Sequence, residues 1–425
     1  MMKGKYKGIL NQLYYFSLCL LAFTIPVSYR ISLYVIGLAL VLSVWKVSIS
    51  GRLKMIFQKK VNLGFILFWF IHAVSLIYSS DLNYGLNDVF QKLSMVLLPI
   101  IFLSFVPEAQ VTERIKKWFL TGLFGASFFF LVRALILSTH FTPEGVTFKP
   151  NPSGVPWENY FFYVRFVEPF HPTYFSMYLS LGIVFIASYV KKIEEIKSRA
   201  LYYLTWIFLL VIVFFTSSRI GILVSVLISL IATFWIIKRR GKLVVAVVLT
   251  FFTVVGGLIL HKNERVRTTI NQVDQYFQGK EMENELARNS FVRFDIWRDF
   301  TDVFQDNSIF TGVGVGDVKR ALVQVYEKKG IEYAYQKQLN AHNQFIQTLV
   351  ACGVLGLLIL LTIIGYAFWL AYKNRDLVLL LFMLIISINF MFESVLERVF
   401  GVIFFAFFLL FFTSNFMKDP KNRVD

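Results

Sequence analysis

The chain has 425 residues, of which 57% are hydrophobic and only 16% are charged, and 47 of them are phenylalanines. Soluble domains carry about 25% charged residues, so this composition excludes an ordinary soluble protein and predicts a polytopic membrane protein. The formal net charge of +17 would suit a nucleic-acid partner. Its distribution argues against one, because the cations cluster between apolar runs, as they do in the cytoplasmic loops of membrane proteins.

In chain order, the apolar runs predict an all-α polytopic membrane protein with about twelve transmembrane helices, because most of the runs approach the length that crosses a bilayer as a helix. The runs lie near residues 9–27, 31–47, 62–79, 91–106, 118–138, 173–190, 201–217, 220–237, 243–260, 345–372, 377–392 and 399–415. Three lysines precede the first run and no convincing cleavage site follows it, so we expect this helix to stay as an anchor. Cys19 and Cys352 lie in apolar runs and predict neither a disulfide framework nor a metal site.

Alternate connections between the runs are basic, and they lie near residues 52–60, 114–117, 191–199, 238–242, 373–375 and 418–423. By the positive-inside rule these connections and both termini are cytoplasmic. Short loops on the other side carry isolated cations such as Arg30 and Lys92.

Two long connections fall on the outer face, near residues 139–172 and 261–344. The second is too long for a simple linker and should contain its own helices, which would form a helical periplasmic cap. We therefore divide the chain into three parts. An N-terminal transmembrane bundle (1–260) holds about nine helices, a large periplasmic loop (261–344) follows, and the C-terminal transmembrane helices end in a short cytoplasmic tail (345–425).

Two arginines on the outer face differ from the cytoplasmic lysines. Arg219 follows two serines between two apolar runs, where a guanidinium is costly unless it has a partner. Arg293 begins an Arg-x-x-x-Trp pattern in the large loop. Because arginine offers planar, bidentate recognition of phosphate oxygens, both are candidates for binding an anionic group, with snorkelling or a structural ion pair as the alternative. For Arg288 and Arg298 nearby, the pattern favours a solvated helix face.

His342 lies where the run 345–372 begins. An imidazole can accept the proton of a hydroxyl near neutral pH, although a lone histidine is more often structural. Gly353 and Gly356 inside the run would let another backbone approach this helix closely. The glycine-rich segment 312–316 departs from a dinucleotide fingerprint and predicts a tight loop.

Two further groups of polar residues flank the outer face. His171 precedes Pro172, which could start a helix, so His171 could simply flank that helix. Glu393, Glu397 and Arg398 lie in the short turn between the last two runs. A carboxylate pair there could orient an arginine, or the turn could hold an ordinary surface salt bridge.

These residues together resemble a known family. His342-Asn343 followed by nine residues and Gly353-x-x-Gly356 resembles the signature of the O-antigen ligase and polymerase superfamily. Ser217-Ser218-Arg219 before a glycine-containing apolar helix is similar to its membrane arginine motif. Arg293-x-x-x-Trp297 is similar to the start of its large periplasmic loop. The segments from His171 to Tyr174 and from Glu393 to Arg398 resemble a subset of its members.

The resemblance implies an inverting, metal-independent glycosyltransferase on the periplasmic face that needs no cofactor. The donor would be a glycan on a polyprenyl diphosphate, typically undecaprenyl diphosphate, and the partners would be this donor, a glycan acceptor and membrane lipid, with no nucleic acid. His342 would be catalytic, and Arg219 and Arg293 would bind the donor diphosphate. The supporting candidates are Asn343, His171, Tyr174, Arg288, Arg298, Glu393, Glu397 and Arg398.

Several functions stay open at this point. We favour an O-antigen ligase of lipopolysaccharide biosynthesis, which moves the glycan to lipid A-core oligosaccharide, because one large loop late in the chain, between Arg219 and His342, resembles the ligase arrangement. A polymerase of O-antigen or exopolysaccharide repeats shares much of that arrangement, and a protein O-oligosaccharyltransferase is a third member of the class. A transporter of an anionic solute would instead favour broken helices and polar residues near the middle of the bilayer.

Overall fold

The computed structural model describes residues 2–44, 59–143, 145–154, 158–193, 195–237, 285–414 and 416, apart from the side chains of residues 2–5, 7, 196 and 285–290. The α-helices are α1 (Met2–Thr24), α2 (Tyr29–Val44), α3 (Lys60–Ser75), α4 (Leu82–Gln91), α5 (Ser94–Phe102), α6 (Ala109–Ser138), α7 (Tyr163–Val167), α8 (Pro172–Lys192), α9 (Ile196–Thr216), α10 (Arg219–Ile237), α11 (Glu285–Asp299), α12 (Val318–Lys329), α13 (Glu332–Lys337), α14 (Gln344–Lys373), α15 (Leu377–Phe392) and α16 (Val399–Ser414). Short 3-10 helices cover Leu76–Tyr78, Phe300–Gln305 and Val395–Glu397, and two strands are β1 (Thr139–Thr142) and β2 (Gly145–Phe148).

Apolar helices dominate the described residues. Seven helical segments among them are long and apolar enough to cross a membrane: Lys60–Tyr78, Leu82–Phe102, Ala109–Ser138, Pro172–Lys192, Lys197–Thr216, Arg219–Ile237 and Gln344–Lys373. Shorter apolar helices cover Gly8–Thr24, Tyr29–Val44, Leu377–Phe392 and Val399–Ser414. The prediction of a polytopic helical membrane protein is confirmed. The predicted number of about twelve helices stays a prediction, since the run near 243–260 lies outside the described residues.

One hairpin departs from the predicted all-α fold. Strands β1 and β2 pair antiparallel, with Phe141 opposite Val146 and Thr139 opposite Phe148. Threonine, valine and phenylalanine favour strands, and Gly145 has a φ of 134°, which a glycine adopts without strain. The sequence reasoning treated residues 139–172 only as a long connection and therefore missed these strands.

The chain forms two compact units. One contains Met1–Gly122 and Val292–Asp425, and the other contains Leu123–Phe291, so the boundaries fall within α6 and α11. The three-part division of the chain follows membrane topology and not compactness, so these units do not test it and it stays a prediction.

Each unit is built around one helix that is apolar on all sides, as expected for a helix surrounded by others. In the first unit this helix is α16, in which every residue from Gly401 to Ser414 is buried. Its phenylalanines pack edge to face against rings of α3, α5 and α6, for example Phe405 against Phe65 and Phe407 against Phe102. In the second unit it is α8, whose residues from Pro172 to Val190 are all buried, with α9 and α10 packed against it.

The large loop contains helices of its own, as predicted, over its described part. One apolar cluster includes buried residues between Val292 and Ile331, which lie in α11, in α12 and in the segments next to these helices. The same cluster includes Val350, Ala351 and Cys352 at the start of α14. The cap of the first unit therefore has an apolar core continuous with a membrane-spanning helix. The predicted loop residues 261–284 lie outside the described part of the chain.

A break in α14 joins the cap to the membrane-spanning helix. Gly353 has a φ of 64°, and the backbone there leaves the helical conformation. The helix carbonyls of Val350 and Ala351 accept hydrogen bonds from Val313 N at 2.8 Å and Gly314 N at 3.0 Å. A Cβ atom on Gly353 would lie 2.2 Å from Phe310 O. The prediction of close backbone approach holds for this glycine. At Gly356 the nearest atoms belong to α14 itself.

We expect Gly353→Ala to destabilise the protein by roughly 2–4 kcal/mol, because an alanine there has both an unfavourable positive φ and a steric clash. Thermal unfolding in detergent measures the effect. The matched control is Gly365→Ala in the same helix, where an added Cβ meets no atom within 4 Å and alanine has the better helix propensity. Equal melting temperatures for the two variants would contradict this account of the break.

Candidate functional site

His342 lies in the short connection between α13 and α14, in a left-handed backbone conformation with a φ of 45°. A residue that is not glycine persists in this conformation only when its surroundings hold it there. Here His342 N donates to Asn340 Oδ1 at 3.0 Å. The preceding residue, Ala341, is fixed through its carbonyl by Trp297 Nε1 at 2.8 Å and through its amide by Gln347 Oε1 at 3.2 Å. The imidazole is therefore presented by a rigid segment.

Asn343 has a clear local role. Its side-chain oxygen accepts hydrogen bonds from Phe345 N at 2.9 Å and Ile346 N at 3.1 Å. These are amides of the first turn of α14, which lack partners within the helix. Asn343 thus caps α14 and fixes where the helix begins, directly after His342.

A carboxylate joins His342 to Arg293. Glu393 Oε1 lies 3.3 Å from His342 Nδ1, and Glu393 Oε2 lies 3.4 Å from Arg293 Nη2. The Glu393 side chain is only 8% exposed, whereas those of His342 and Arg293 are 20% and 32% exposed. The sequence left open whether the turn between the last two helices holds an ordinary surface salt bridge. For Glu393 this alternative is wrong, because its carboxylate is buried between His342 and Arg293.

Arg293 also holds the turn that carries Glu393. It belongs to α11, and its Nη1 donates to Phe392 O at 2.7 Å. The ring of Trp297, one turn along α11, lies 5.7 Å from that of Phe392. The Arg-x-x-x-Trp pattern is thus a pair of side chains on one face of α11 that fastens the end of α15.

The turn between α15 and α16 is clamped at two more places. Leu396 N donates to Gln344 Oε1 at 2.6 Å, and Gln344 is fully buried. Glu397 Oε1 accepts from Lys92 Nζ at 3.0 Å. The turn is thus fixed to α14, next to His342, and to the junction of α4 and α5.

The position of Lys92 corrects the sequence interpretation, which treated it as an isolated cation in a short outer loop. Lys92 is fully buried and forms ion pairs with Asp88 and Glu397. No open loop exists there, since α4 ends at Gln91 and α5 begins at Ser94. Asp88 lies one helical turn before Lys92, which is the spacing at which helical side chains meet. A buried ammonium needs such partners.

Glu397 titrates unusually, because it shares this enclosed site. Burial raises the pKa of Glu397 to about 7, the Asp88 carboxylate adds to the rise, and the Lys92 ammonium opposes it. The titratable groups that interact electrostatically with Glu397 include Asp88, Lys92, His72, Tyr84 and Cys352, and Arg398 is the next residue in the chain. Two carboxylates facing one ammonium carry a surplus negative charge, and a proton on Glu397 neutralises it.

This titration predicts how stability depends on pH. The folded pKa of Glu397 is raised from the ordinary value of 4.5 to about 7, so the folded state binds the proton more tightly. The stability from this group is fully present below the unfolded value and is lost as pH rises through the folded value. We expect the melting temperature to fall between about pH 5 and pH 8, and Glu397→Gln to remove part of that fall. An unchanged pH dependence in the Gln variant would contradict this assignment.

In the second unit, Arg219 is the first residue of α10. The connection from α9 is two residues long, and Ser217 adopts a left-handed φ of 49° that turns the chain back. Ser218 Oγ caps α10 by accepting from Gly221 N at 3.2 Å. A Cβ on Gly221 would lie 2.1 Å from Ser176 Oγ of α8. Arg219 thus lies at the start of α10, where α10 packs tightly against α8. The partial positive charge of this helix N-terminus adds to the charge of the guanidinium.

His171 and Tyr174 lie at the same end of the second unit. His171 is the residue before α8, and its Nδ1 accepts from Thr173 N at 3.4 Å, while Pro172 opens the helix, as its sequence position suggested. The ring of buried Tyr174 lies 5.9 Å from that of His171. Ser218 Oγ donates to Thr173 Oγ1 at 3.4 Å, so this capped helix start is joined to the turn before Arg219.

The remaining candidates have weaker positions. Arg298 is exposed and pairs with Asp295 at 3.3 Å and Asp299 at 2.7 Å, as expected for a solvated helix face. Arg398 is exposed. The side chain of Arg288 lies outside the described residues. Within the described part of the chain, no group of three or more His, Cys, Asp or Glu side chains is arranged to hold a metal ion.

The residues that sequence reasoning missed are Lys92, Asp88 and Gln344. The four-residue spacing of Asp88 and Lys92 was a usable signal, because an acid and a base one helical turn apart at the start of an apolar run suggest an ion pair. Gln344 carried no such signal, since its partner is a backbone amide 52 residues away.

Comparison with known proteins supports the family that the sequence motifs suggested. Residues 204–361 match a family model described as O-antigen ligase. The matched segment contains Arg219, Arg293 and His342, and it ends before Glu393. No curated protein compared with the chain matches it significantly.

Proposed function

We propose that this protein transfers a glycan from a polyprenyl diphosphate, typically undecaprenyl diphosphate, to a hydroxyl of an acceptor glycan. The match of residues 204–361 to a family model described as O-antigen ligase supports the proposal. The single observation that carries the proposal is the contact between His342 Nδ1 and the buried Glu393 carboxylate at 3.3 Å. A carboxylate at one ring nitrogen orients an imidazole and selects its tautomer, which is how a general base is prepared for proton transfer.

In the proposed reaction Nδ1 carries the proton that it donates to Glu393, and Nε2 is left with its lone pair. The acceptor hydroxyl oxygen attacks the anomeric carbon of the donor sugar while its proton passes to His342 Nε2. The bond from the anomeric carbon to the diphosphate oxygen breaks, and the lipid diphosphate leaves with the electron pair. A single displacement of this kind inverts the configuration at the anomeric carbon. Glu393 stabilises the imidazolium that forms.

The leaving diphosphate gains negative charge, which the protein must stabilise. We assign Arg219 and Arg293 to this task, because a guanidinium stays charged and binds phosphate oxygens with two parallel hydrogen bonds. The start of α10 supports Arg219, since a helix N-terminus also attracts anions. Arg293 is one-third exposed while bound to Glu393 and Phe392. The chemistry proposed for these groups requires no metal.

Membrane topology supports the proposed setting. The basic segments at 191–199 and 373–375 lie at the opposite ends of helices from Arg219 and His342, and basic connections face the cytoplasm. We therefore place the reaction at the periplasmic face of the bacterial inner membrane, with both termini in the cytoplasm. Apolar helices would receive the polyprenyl chain, and the cap would hold sugars.

We favour a ligase that uses lipid A-core oligosaccharide as acceptor. Deletion of the gene followed by glycolipid electrophoresis tests this choice. Loss of the whole ladder on lipid A-core supports the ligase, and the plasmid-borne gene should restore the ladder. A single-repeat band would instead indicate a polymerase. An unchanged pattern of all cell-surface glycans would contradict the proposed function.

We expect Glu393→Gln to lower kcat on the order of 100-fold with little change in stability, because an amide cannot stabilise the imidazolium and can hold the ring in the wrong tautomer. Initial-rate kinetics with the purified protein measure the effect. The matched control is Glu332→Gln, at an exposed glutamate of α13 that bonds only Gln336 among the described contacts. A Glu393→Gln variant as active as this control would remove Glu393 from the mechanism.

A further inference from the structure

The five residues from Glu393 to Glu397 form a compact turn, and the turn carries Glu393 at its start. Val395 N donates to Glu393 O at 3.0 Å, and Glu397 N donates to Ser394 O at 3.1 Å. These two hydrogen bonds cover overlapping parts of the turn, so we expect a displacement of Glu397 to displace Glu393 as well. The position of the turn depends on what holds its second half.

Lys92 holds that second half. Its ammonium donates to Glu397 Oε1 at 3.0 Å and also bonds Asp88, and its own side chain is fully buried. Asp88 lies on the same helical stretch as Lys92, so this pair forms a fixed base to which Glu397 attaches. Lys92 does not contact His342, Arg293 or Glu393 in the described contacts, so the proposed chemistry gives it no direct role.

We propose that Lys92 is a positioning residue for glycan transfer: through Glu397 it fixes the turn so that Glu393 meets both His342 and Arg293. This inference rests on the proposed function of His342. Residues that orient a reacting group without touching the substrate affect the rate by about tenfold to a hundredfold, because a misplacement of about 1 Å can cost on the order of 100-fold. Lys92 is thereby joined to the site although it lies more than 200 residues before His342 in the chain.

A merely structural role for Lys92 would lower stability and the amount of folded protein without changing the kcat of the molecules that fold. A positioning role lowers kcat and leaves donor and acceptor KM within about twofold, because the substrate-binding groups are intact. The kcat is calculated per amount of folded, monodisperse protein, so that a loss of folded material does not lower it. The kinetic pattern therefore separates the two roles.

The experiment compares variants of the full-length protein in detergent or nanodiscs. Lys92→Met removes the ammonium and leaves two buried carboxylates, so it could fail to fold. Lys92→Met combined with Glu397→Gln removes one of those charges and should fold better. Glu397→Gln alone keeps an oxygen that can accept from Lys92, whereas Glu397→Leu does not. Lys329→Met is the control, since Lys329 pairs with Asp302 at 2.7 Å on the exposed surface of the cap.

We expect the double variant and Glu397→Leu to lose kcat by at least about tenfold with nearly unchanged KM. Glu397→Gln should retain more of the kcat than Glu397→Leu, because it keeps an oxygen for Lys92, and Lys329→Met should keep kcat within about threefold. Wild-type kcat in a folded double variant would overturn the inference, and so would a Glu397→Gln variant as slow as Glu397→Leu. His342→Ala measured in parallel separates the two proposals: if it is inactive while the double variant is fully active, only the role of Lys92 fails.

Discussion

His342→Ala should abolish glycan transfer while leaving the protein folded and able to bind donor. General-base catalysis contributes about 10²–10⁴ in rate, so transfer in a complemented deletion strain should fall below detection by glycolipid electrophoresis. The matched control is His140→Ala, which removes the same side chain from the exposed hairpin. Membrane levels of both variants, measured by immunoblot, must equal that of the wild type. Equal ladders from the two variants would show that His342 takes no part in the chemistry.

His342→Gln refines this result. Glutamine keeps a polar side chain of similar reach but cannot accept the proton. If the imidazole is the base, the Gln variant should lose most of the rate. A near-normal rate in the Gln variant would mean that His342 only positions the acceptor.

The second large effect is expected at Arg219. Arg219→Lys keeps the charge but loses the planar fork that binds two phosphate oxygens. Loss of one such charge-assisted hydrogen bond costs about 1.5–3 kcal/mol, so kcat/KM for the donor should fall by about tenfold to a hundredfold. Initial rates at varied donor concentration measure it, with the amount of folded protein as a check.

The control for Arg219→Lys is Arg165→Lys, an exposed arginine in the same unit that pairs loosely with Glu158 at 3.8 Å. Surface ion pairs of this kind contribute little, so this variant should behave as the wild type. If Arg219→Lys retains the wild-type kcat/KM, recognition of the donor diphosphate does not depend on the Arg219 guanidinium. Arg219 would then only help to pack the helix ends at the membrane boundary.

Much of the architecture follows from hydropathy. The run predicted near 345–372 appears as α14, Gln344–Lys373, because a long apolar stretch has no stable alternative to a helix in lipid. The hairpin and the break between α4 and α5 were missed for a shared reason. Both lie where the sequence indicated a connection: the hairpin lies within residues 139–172, and the break lies where the connection after the run 62–79 meets the run 91–106.

The pattern around His342 gains a physical explanation that spacing alone could not supply. Asn343 caps α14, and Gly353 interrupts the helix ten residues later. At this interruption the backbone of the cap segment 309–314 forms hydrogen bonds with the backbone of α14. The nine residues between them thus form the short helical piece that joins His342 to the cap. Asn343 and Gly353 therefore have structural roles in this pattern, and only His342 is proposed to take part in the chemistry.

The contacts that complete the site were beyond sequence reasoning because they join distant residues. Glu393 is 51 residues from His342, and Lys92 is 305 residues from Glu397. Periodicity reports which residues share a helix face, and it contains no information about which helices become neighbours. The choice between a carboxylate that orients an arginine and a surface salt bridge could therefore be resolved only in three dimensions.

The most direct test of the central claim is a transfer assay in nanodiscs with a purified glycan on polyprenyl diphosphate, a purified acceptor and an excess of chelator. Donor binding and the anomeric configuration of the product are measured for the wild type and for His342→Ala. We expect the wild type to form product with inverted configuration, and His342→Ala to bind donor with an unchanged Kd and form none. Transfer by His342→Ala at the wild-type rate, or a product with retained configuration, would contradict the account.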